Sequence, residues 1–189
     1  MGPAGISDYP DKQFGRALAM NGYVTLCPRN YLFDYREMMA KGRSQYVKIV
    51  DRLLELWPTW TGMGKMLWDG LRAVDYLQSL PAVDSSRIGC IGHSLGAKEV
   101  IYQMAFDERV RAGISSEGGL GIPFSNWADR WYLGPAIEER HDLAHHQLLA
   151  LTAPRAMLVL GGGLEPTERS EGVSPGADPL EDWNYTEAA

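Results

Sequence analysis

Arg87-Ile88-Gly89-Cys90-Ile91-Gly92-His93-Ser94-Leu95-Gly96-Ala97 is the stretch whose reading decides the fold. A short β-branched run ends in glycine, a serine follows at a tip, and a second glycine precedes an Ala-rich amphipathic segment at 97–106. That is the strand, sharp turn and helix of a nucleophile elbow. A serine held there takes a strained backbone conformation, and the glycines two places to either side let strand and helix backbones approach. The hydroxyl of Ser94 is expected at the carboxyl edge of a sheet. The amide of Leu95, at the positive end of the next helix, is aimed where an oxyanion would form. Gly-x-Ser-x-Gly also arises by accident in Gly-rich chains; the strand before it and the helix after it distinguish this occurrence.

Downstream, Asp107-Glu108-Arg109 makes a polar loop before a second strand at 110–115. Ser116-Glu117-Gly118-Gly119 follows at its carboxyl end, the edge where open α/β sheets hold ligands, which makes Glu117 a candidate site residue. Residues 124–134 concentrate Trp127, Trp131 and Tyr132 with Asn126, Asp129 and Arg130. The cluster suits either a pocket lining or a cap packed on its own aromatics. A helical pattern at 141–151 and Ala153-Pro154-Arg155 lead into a third buried strand at 156–160, closed by Gly161-Gly162-Gly163.

Upstream, Leu67, Leu71, Val74, Leu77 and Leu80 recur at helical spacing and form a stripe that backs the sheet. Tyr46, Val47, Val50, Leu53, Leu54 and Trp57 form another, ended by Pro58, with a Thr/Trp/Gly-rich turn between the two. A short helix at 14–20 stops at Asn21-Gly22. Residues 23–27, closed by Pro28, read as a buried strand, and 29–43 as a loop with a helical piece near 35–40. Strands alternating with helices predict the α/β class, a mostly parallel sheet with helices on both faces. One domain over 1–163 is expected, with 164–189 a polar tail rich in Glu, Pro, Gly and Ser.

A chain of 189 residues suffices for one sizeable core, and 45% hydrophobic with 22% charged residues is ordinary for a globular protein. The net charge of -6 disfavours nucleic acid as a partner. No apolar stretch approaches a membrane span, and Met1-Gly2-Pro3-Ala4-Gly5-Ile6 lacks the features of a secretory signal, so a cytoplasmic location is expected. Cys27 and Cys90, each in or beside an expected strand, read as reduced core thiols; no metal-ligand spacing is present. Neither a cofactor nor a metal is implied, and nothing in the sequence sets an oligomeric state.

From about residue 66 to 163 the chain resembles the α/β-hydrolase superfamily, in its dienelactone hydrolase and acetyl xylan esterase-like branch. The resemblance rests on Leu67-Trp68-Asp69-Gly70-Leu71-Arg72-Ala73-Val74-Asp75-Tyr76-Leu77, Val83-Asp84-Ser85-Ser86-Arg87-Ile88-Gly89, the elbow, Ser115-Ser116-Glu117-Gly118-Gly119 and Ala153-Pro154-Arg155. It implies hydrolysis of a small ester by a serine, acid and histidine in that chain order, with Ser94 the nucleophile. Relatives place the acid after the strand at 156–160, where Glu165 and Glu168 stand; some related esterases place it one strand earlier, at Glu117, which lies in the better-matched segment.

Against the family pattern, no histidine and no strand follow Gly163. The four histidines are His93, His141, His145 and His146, and the resemblance gives none of them the role of base. The loop expected to supply a second oxyanion amide is represented at most by residues 2–5. The resemblance therefore describes an incomplete hydrolase, short at both ends. Two functions compete: a serine carboxylesterase lacking its own histidine, or a non-catalytic binding module on the same scaffold. A prolyl oligopeptidase-type peptidase shares the elbow but fits the flanking segments less well.

Overall fold

The computed structural model describes residues 13–31, 44–122, 127 and 132–161. Two compact units divide the chain: the part up to Trp60 together with Asp69–Ser85, and Thr61–Trp68 together with everything from Ser86 onward.

In the first unit, helix α1 (Phe14–Met20) ends in a Schellman-type cap. Gly22 takes φ 88°, its amide donates to the Ala19 carbonyl at 3.1 Å, and the Tyr23 amide donates to Leu18 at 3.2 Å. Asn21 closes the same end through its side-chain amide on the Ala17 carbonyl at 2.8 Å. Helix α2 (Ser44–Leu56) buries Val50 and Leu53 of its stripe, whereas Leu54 and Trp57 of the same stripe are exposed. The later turns of α3 (Gly62–Ser79) also belong here and bury Val74.

The strand expected at 23–27 does not form. The segment is irregular, Tyr23 is 63% and Val24 49% exposed, and Cys27 is exposed rather than a core thiol. Aromatic and β-branched composition favours a strand only where a neighbouring edge supplies ladder hydrogen bonds and a face to pack on. Among the described residues no strand pairs with it.

The second unit is built on a three-stranded parallel sheet, β1 (Ile88–His93), β2 (Val110–Ser116) and β3 (Ala156–Leu160), in that order. Ile91, Ile114 and Leu158 share one cross-strand row. Helix α4 (Leu95–Phe106) lies on β1 and β2, and α5 (His145–Thr152) lies on α4. Because α4 is covered by the sheet on one side and by α5 on another, its buried residues (Ala97, Lys98, Val100, Ile101, Gln103, Met104) extend beyond a single stripe. Ile101 and Leu120 are surrounded by Tyr102, Leu148, Leu149, Met157 and Val159. This is a parallel sheet with helices around it, the α/β class expected from the alternation of patterns.

Two details depart from the sequence reading. Helix α3 starts at Gly62, inside the stretch read as a turn, because the Thr61 hydroxyl accepts the Gly64 amide at 3.0 Å and caps the first turn. Strand β3 stands where expected but is not buried on both sides. Met157 and Val159 face the helices, while Leu158 and Leu160 are exposed.

Arg155 anchors β3. Its guanidinium donates to the carbonyls of Asp107 at 3.0 Å, Val110 at 3.1 Å and Leu151 at 2.9 Å, joining the end of α4, the start of β2 and the end of α5. The buried Asp107 carboxylate is held in turn by Arg109, through Nε at 2.7 Å and a second guanidinium nitrogen at 2.8 Å. Together these contacts fix the amino ends of β2 and β3, and so the level at which their carboxyl ends emerge.

Candidate active site

Ser94 follows the last residue of β1 and precedes the first of α4. Its backbone lies at φ 54° and ψ -115°, a region that a residue with a Cβ enters at a penalty of about 1–3 kcal/mol. The conformation is held by its amide, which donates to the Ser116 carbonyl at 2.9 Å, and by its carbonyl, which accepts from Ala97 at 3.0 Å and Lys98 at 3.2 Å. A serine at a helix N-cap ordinarily turns its hydroxyl onto the helix's first amides. Ser94 makes no such side-chain cap and its side chain is exposed, so the hydroxyl projects from the carboxyl edge of the sheet.

Of the two elbow glycines, one is sterically required. A Cβ on Gly92 would lie 2.2 Å from the Gly96 carbonyl carbon and oxygen and 2.7 Å from the Ala97 nitrogen, whereas one on Gly96 meets nothing within 4 Å. Close approach of strand and helix therefore rests on Gly92. Leu95 opens α4, and the first amides of a helix have no partner within it. Ser94 therefore lies at that positive helix end.

Glu117 occupies the equivalent place on β2. It follows Ser116, which is the register partner of His93, and it takes φ 61°. Its amide donates to the Leu160 carbonyl at 2.8 Å, which ties it to the end of β3, and its side chain is exposed. The structure thus brings Ser94, Leu95 and Glu117 to one edge of one sheet. The other acid candidates, Glu165 and Glu168, and residues 2–5 lie outside the described residues.

Behind this edge sit two charged or titratable groups that the sequence reading did not single out as site residues. Lys98 is 1% exposed; its Nζ donates to the Gly118 carbonyl at 2.6 Å and lies 4.0 Å from the centre of the Trp127 ring and 5.2 Å from that of Tyr132. A carbonyl and two ring faces replace its water, which makes burial of the charge tolerable. His145 is 2% exposed, and its ring centre lies 4.4 Å from that of Trp127 with the planes tilted at 54°. Burial, and then the charge of Lys98, push its pKa down from 6.5 to about 3, so the ring is neutral at neutral pH. One sequence signal pointed at Lys98: it is four residues beyond Ser94 on a helix and so shares its face.

Trp127 is buried against Tyr132, Tyr102, His145 and Lys98, and Tyr132 against Trp127 and Lys98. Of the cluster at 124–134, these two rings are buried. Asn126, Asp129, Arg130 and Trp131 lie outside the described residues.

All four histidines are described, and none is hydrogen-bonded to Ser94 among the described residues. His93, His141 and His146 are exposed, and the Nδ1 of His145 accepts from the Gly121 amide at 2.8 Å. No cluster of His, Cys, Asp and Glu suited to a metal ion occurs among the described residues, and none of their helices is long and apolar enough to cross a membrane.

An exposed serine in a strained strand-to-helix turn thus stands with an acidic residue one strand over. The dienelactone hydrolase family matches residues 4–129 of the sequence. The chain belongs to that family. Among curated relatives of this dienelactone hydrolase family chain is YtaP of Bacillus subtilis (strain 168), whose name proposes a hydrolase; identity is 30% over 167 residues, covering 85% of this chain and 52% of that protein. A 4-O-methyl-glucuronoyl methylesterase of Sodiomyces alcalophilus is 28% identical over 120 residues, covering 49% of this chain and 24% of that enzyme. Among solved structures, a glucuronoyl esterase from Solibacter usitatus superposes with a TM-score of 0.53 at 26% identity, over 69% of this chain and 35% of that one. The chain thus spans about half the length of YtaP or less of these relatives.

Proposed function

We propose that this chain carries the nucleophile, the acid and one oxyanion donor of a serine carboxylesterase acting on small esters, with esters of sugar acids the favoured class. The conformation of Ser94 is the observation that carries the reading: a left-handed, exposed serine between strand and helix whose hydroxyl does not cap its own helix. In this mechanism Ser94 Oγ passes its proton to an imidazole base and bonds to the ester carbonyl carbon, the Leu95 amide receives the oxyanion, and Glu117 stabilises the imidazolium so formed. That imidazolium returns the proton to the alcohol as its C–O bond breaks, and water attacking in the same way then releases the acid. The base is a ring other than His93, His141, His145 or His146. The names of the glucuronoyl esterases among the relatives support the sugar-acid class.

A serine hydroxyl at neutral pH needs a base within hydrogen-bond reach. His93, His141, His145 and His146 do not offer one to Ser94 in this arrangement, so turnover by the chain alone is expected to be slow, by several powers of ten relative to a complete triad. The same observation favours the second reading, a non-catalytic binding module that retains the elbow.

One experiment separates the two. Hydrolysis of p-nitrophenyl acetate and of a glucuronic acid methyl ester is measured for the wild-type chain and Ser94→Ala, with and without added imidazole. The esterase reading expects a Ser94-dependent rate that imidazole raises by about tenfold or more, because the small base substitutes for the missing ring. Equal rates for the two proteins under both conditions sink it in favour of the binding module.

A further inference from the structure

Glu117 is followed by a segment with little intrinsic stiffness. Gly118, Gly119 and Gly121 are three of the next four residues, and Gly119 and Gly121 take φ 72° and 100°. Glycine moves readily among such conformations, so something outside the segment must select one. Three side chains do so, each from a different part of the second unit. Lys98 on α4 donates to the Gly118 carbonyl at 2.6 Å, Trp127 Nε1 donates to the Gly119 carbonyl at 3.1 Å, and His145 on α5 accepts the Gly121 amide at 2.8 Å. All three are buried. Gly118 is also hemmed in, since a Cβ there would lie 3.0 Å from the Ala97 Cβ and 3.1 Å from Ser115 Oγ.

Of the three, only His145 takes an amide, and its chemistry is otherwise unused. Because Nδ1 accepts, the ring proton of the neutral form sits on Nε2, and Nε2 has no hydrogen-bond partner among the described residues. An apolar residue would fill the same space without burying that unpaired N–H. What the imidazole supplies and an apolar residue does not is the acceptor for Gly121.

We infer that His145 is a positioning residue for Glu117: by accepting the Gly121 amide it closes the far end of the 118–121 segment and holds the acid in its left-handed conformation beside Ser94. The inference rests on the reading of Glu117 as the acid of the site. His145 acts on the backbone four residues beyond the carboxylate and takes no part in proton transfer. Lys98 and Trp127 hold the near end, so the loop is fixed from both sides and its amide–Leu160 contact is preserved.

The test uses His145→Leu, which removes the acceptor, and His145→Asn, whose side-chain oxygen sits near the position of Nδ1. Amide hydrogen exchange by NMR is compared at Glu117, Gly121 and the central β2 residues, and Ser94-dependent ester hydrolysis is measured in parallel with imidazole added as the base. In His145→Leu, exchange at Glu117 and Gly121 is expected to speed by about tenfold while Gly113 and Ile114 stay protected, and kcat is expected to fall by about tenfold with KM little changed. His145→Asn restores both. On a Glu117→Gln background, His145→Leu is expected to produce no further loss of kcat.

Unchanged exchange at Glu117, an even rise over the whole of β2, or equal behaviour of the Leu and Asn variants overturns the inference, as does an undiminished loss in the Glu117→Gln background. If His145→Leu does not fold, His145→Gln takes its place, since its polar end lies near Nε2 and cannot accept from Gly121; Gln and Asn behaving alike then overturns the inference. Absence of any Ser94-dependent hydrolysis in the wild-type chain counts against the esterase reading, and the exchange comparison alone then decides the role of His145.

Discussion

Ser94 and Glu117 are the two non-glycine residues of the described chain with positive φ, and each is the first residue past its strand. The strands' last residues, His93 and Ser116, are register partners, and the Ser94 amide donates to the Ser116 carbonyl. Two strained residues at adjacent strand ends of one parallel sheet are what a site maintained by its surroundings looks like.

Strain at Ser94 has a measurable consequence. Ser94→Gly removes the Cβ and with it the steric penalty, whereas Ser94→Ala removes the hydroxyl but keeps the Cβ. The glycine variant is expected to be more stable than the alanine variant by about 1 kcal/mol, part of the relief being offset by the greater freedom of glycine in the unfolded chain. Urea denaturation midpoints of the two check this; an alanine variant as stable as the glycine one would show that the turn stores no strain.

Gly92 and Gly113 both lie under α4, but their tolerance should differ. A Cβ on Gly92 meets the Gly96 backbone at 2.2 Å, whereas one on Gly113 meets Met104 and Met157 side-chain atoms at 2.6–3.0 Å. Backbone cannot yield without moving the helix, while a methionine can change rotamer. Gly92→Ala is expected to destabilise by about 3 kcal/mol or more and to lose any Ser94-dependent activity; Gly113→Ala is expected to lose about 1–2 kcal/mol. Thermal unfolding of the pair gives the comparison, and similar losses would contradict the geometry.

The elbow was legible in the sequence because its signal is local: strand, Gly92, Ser94 and helix lie within a few residues, and steric necessity acts between neighbours. The runs that form β2 and β3 were legible too, and they find partners in β1 and in each other. Tyr23 and Val24 show the opposite case, since a β-rich run becomes a strand only beside a partner that lies elsewhere in the chain. Lys98 and His145 were missed as site residues for a related reason. A lysine on an amphipathic helix reads as solvated, and only the arrival of Gly118 and the Trp127 ring, from later in the chain, makes its burial tolerable. Hydrogen bonds to loop carbonyls and amides leave no periodicity to read.

His145 makes stability depend on pH. Its folded pKa of about 3 lies below its ordinary 6.5, so between those values the unfolded chain binds a proton that the folded one refuses. Its stabilising contribution is complete above pH 6.5 and is lost as the pH falls toward 3, at up to about 1.4 kcal/mol per pH unit. Asp142, whose carboxyl is held near 2 by its hydrogen bond from Arg140, acts only at more acid pH than the histidine. Urea midpoints should drop between pH 7 and 5, and His145→Asn should flatten that drop. An unchanged slope in the variant would assign the dependence to other groups.

The two thiols should separate cleanly in a labelling experiment. Cys90 lies in β1, and burial, followed by the negative charge of Glu99, pushes its thiol up to about 12, against a smaller opposing pull from Arg155. Thiolate is the reacting form, so at pH 8 only about one Cys90 in ten thousand is poised to react at any moment. Partial desolvation also raises Cys27, but that residue is exposed in the segment where a strand was expected. Reaction of the native chain with a thiol-specific disulfide reagent is therefore expected to give one fast equivalent from Cys27 and a second, from Cys90, about a hundredfold slower or released only by denaturant. Replacing Cys27 with serine should abolish the fast phase alone. A fast phase that survives that replacement would mean that β1 opens readily, and with it the strand that carries Ser94.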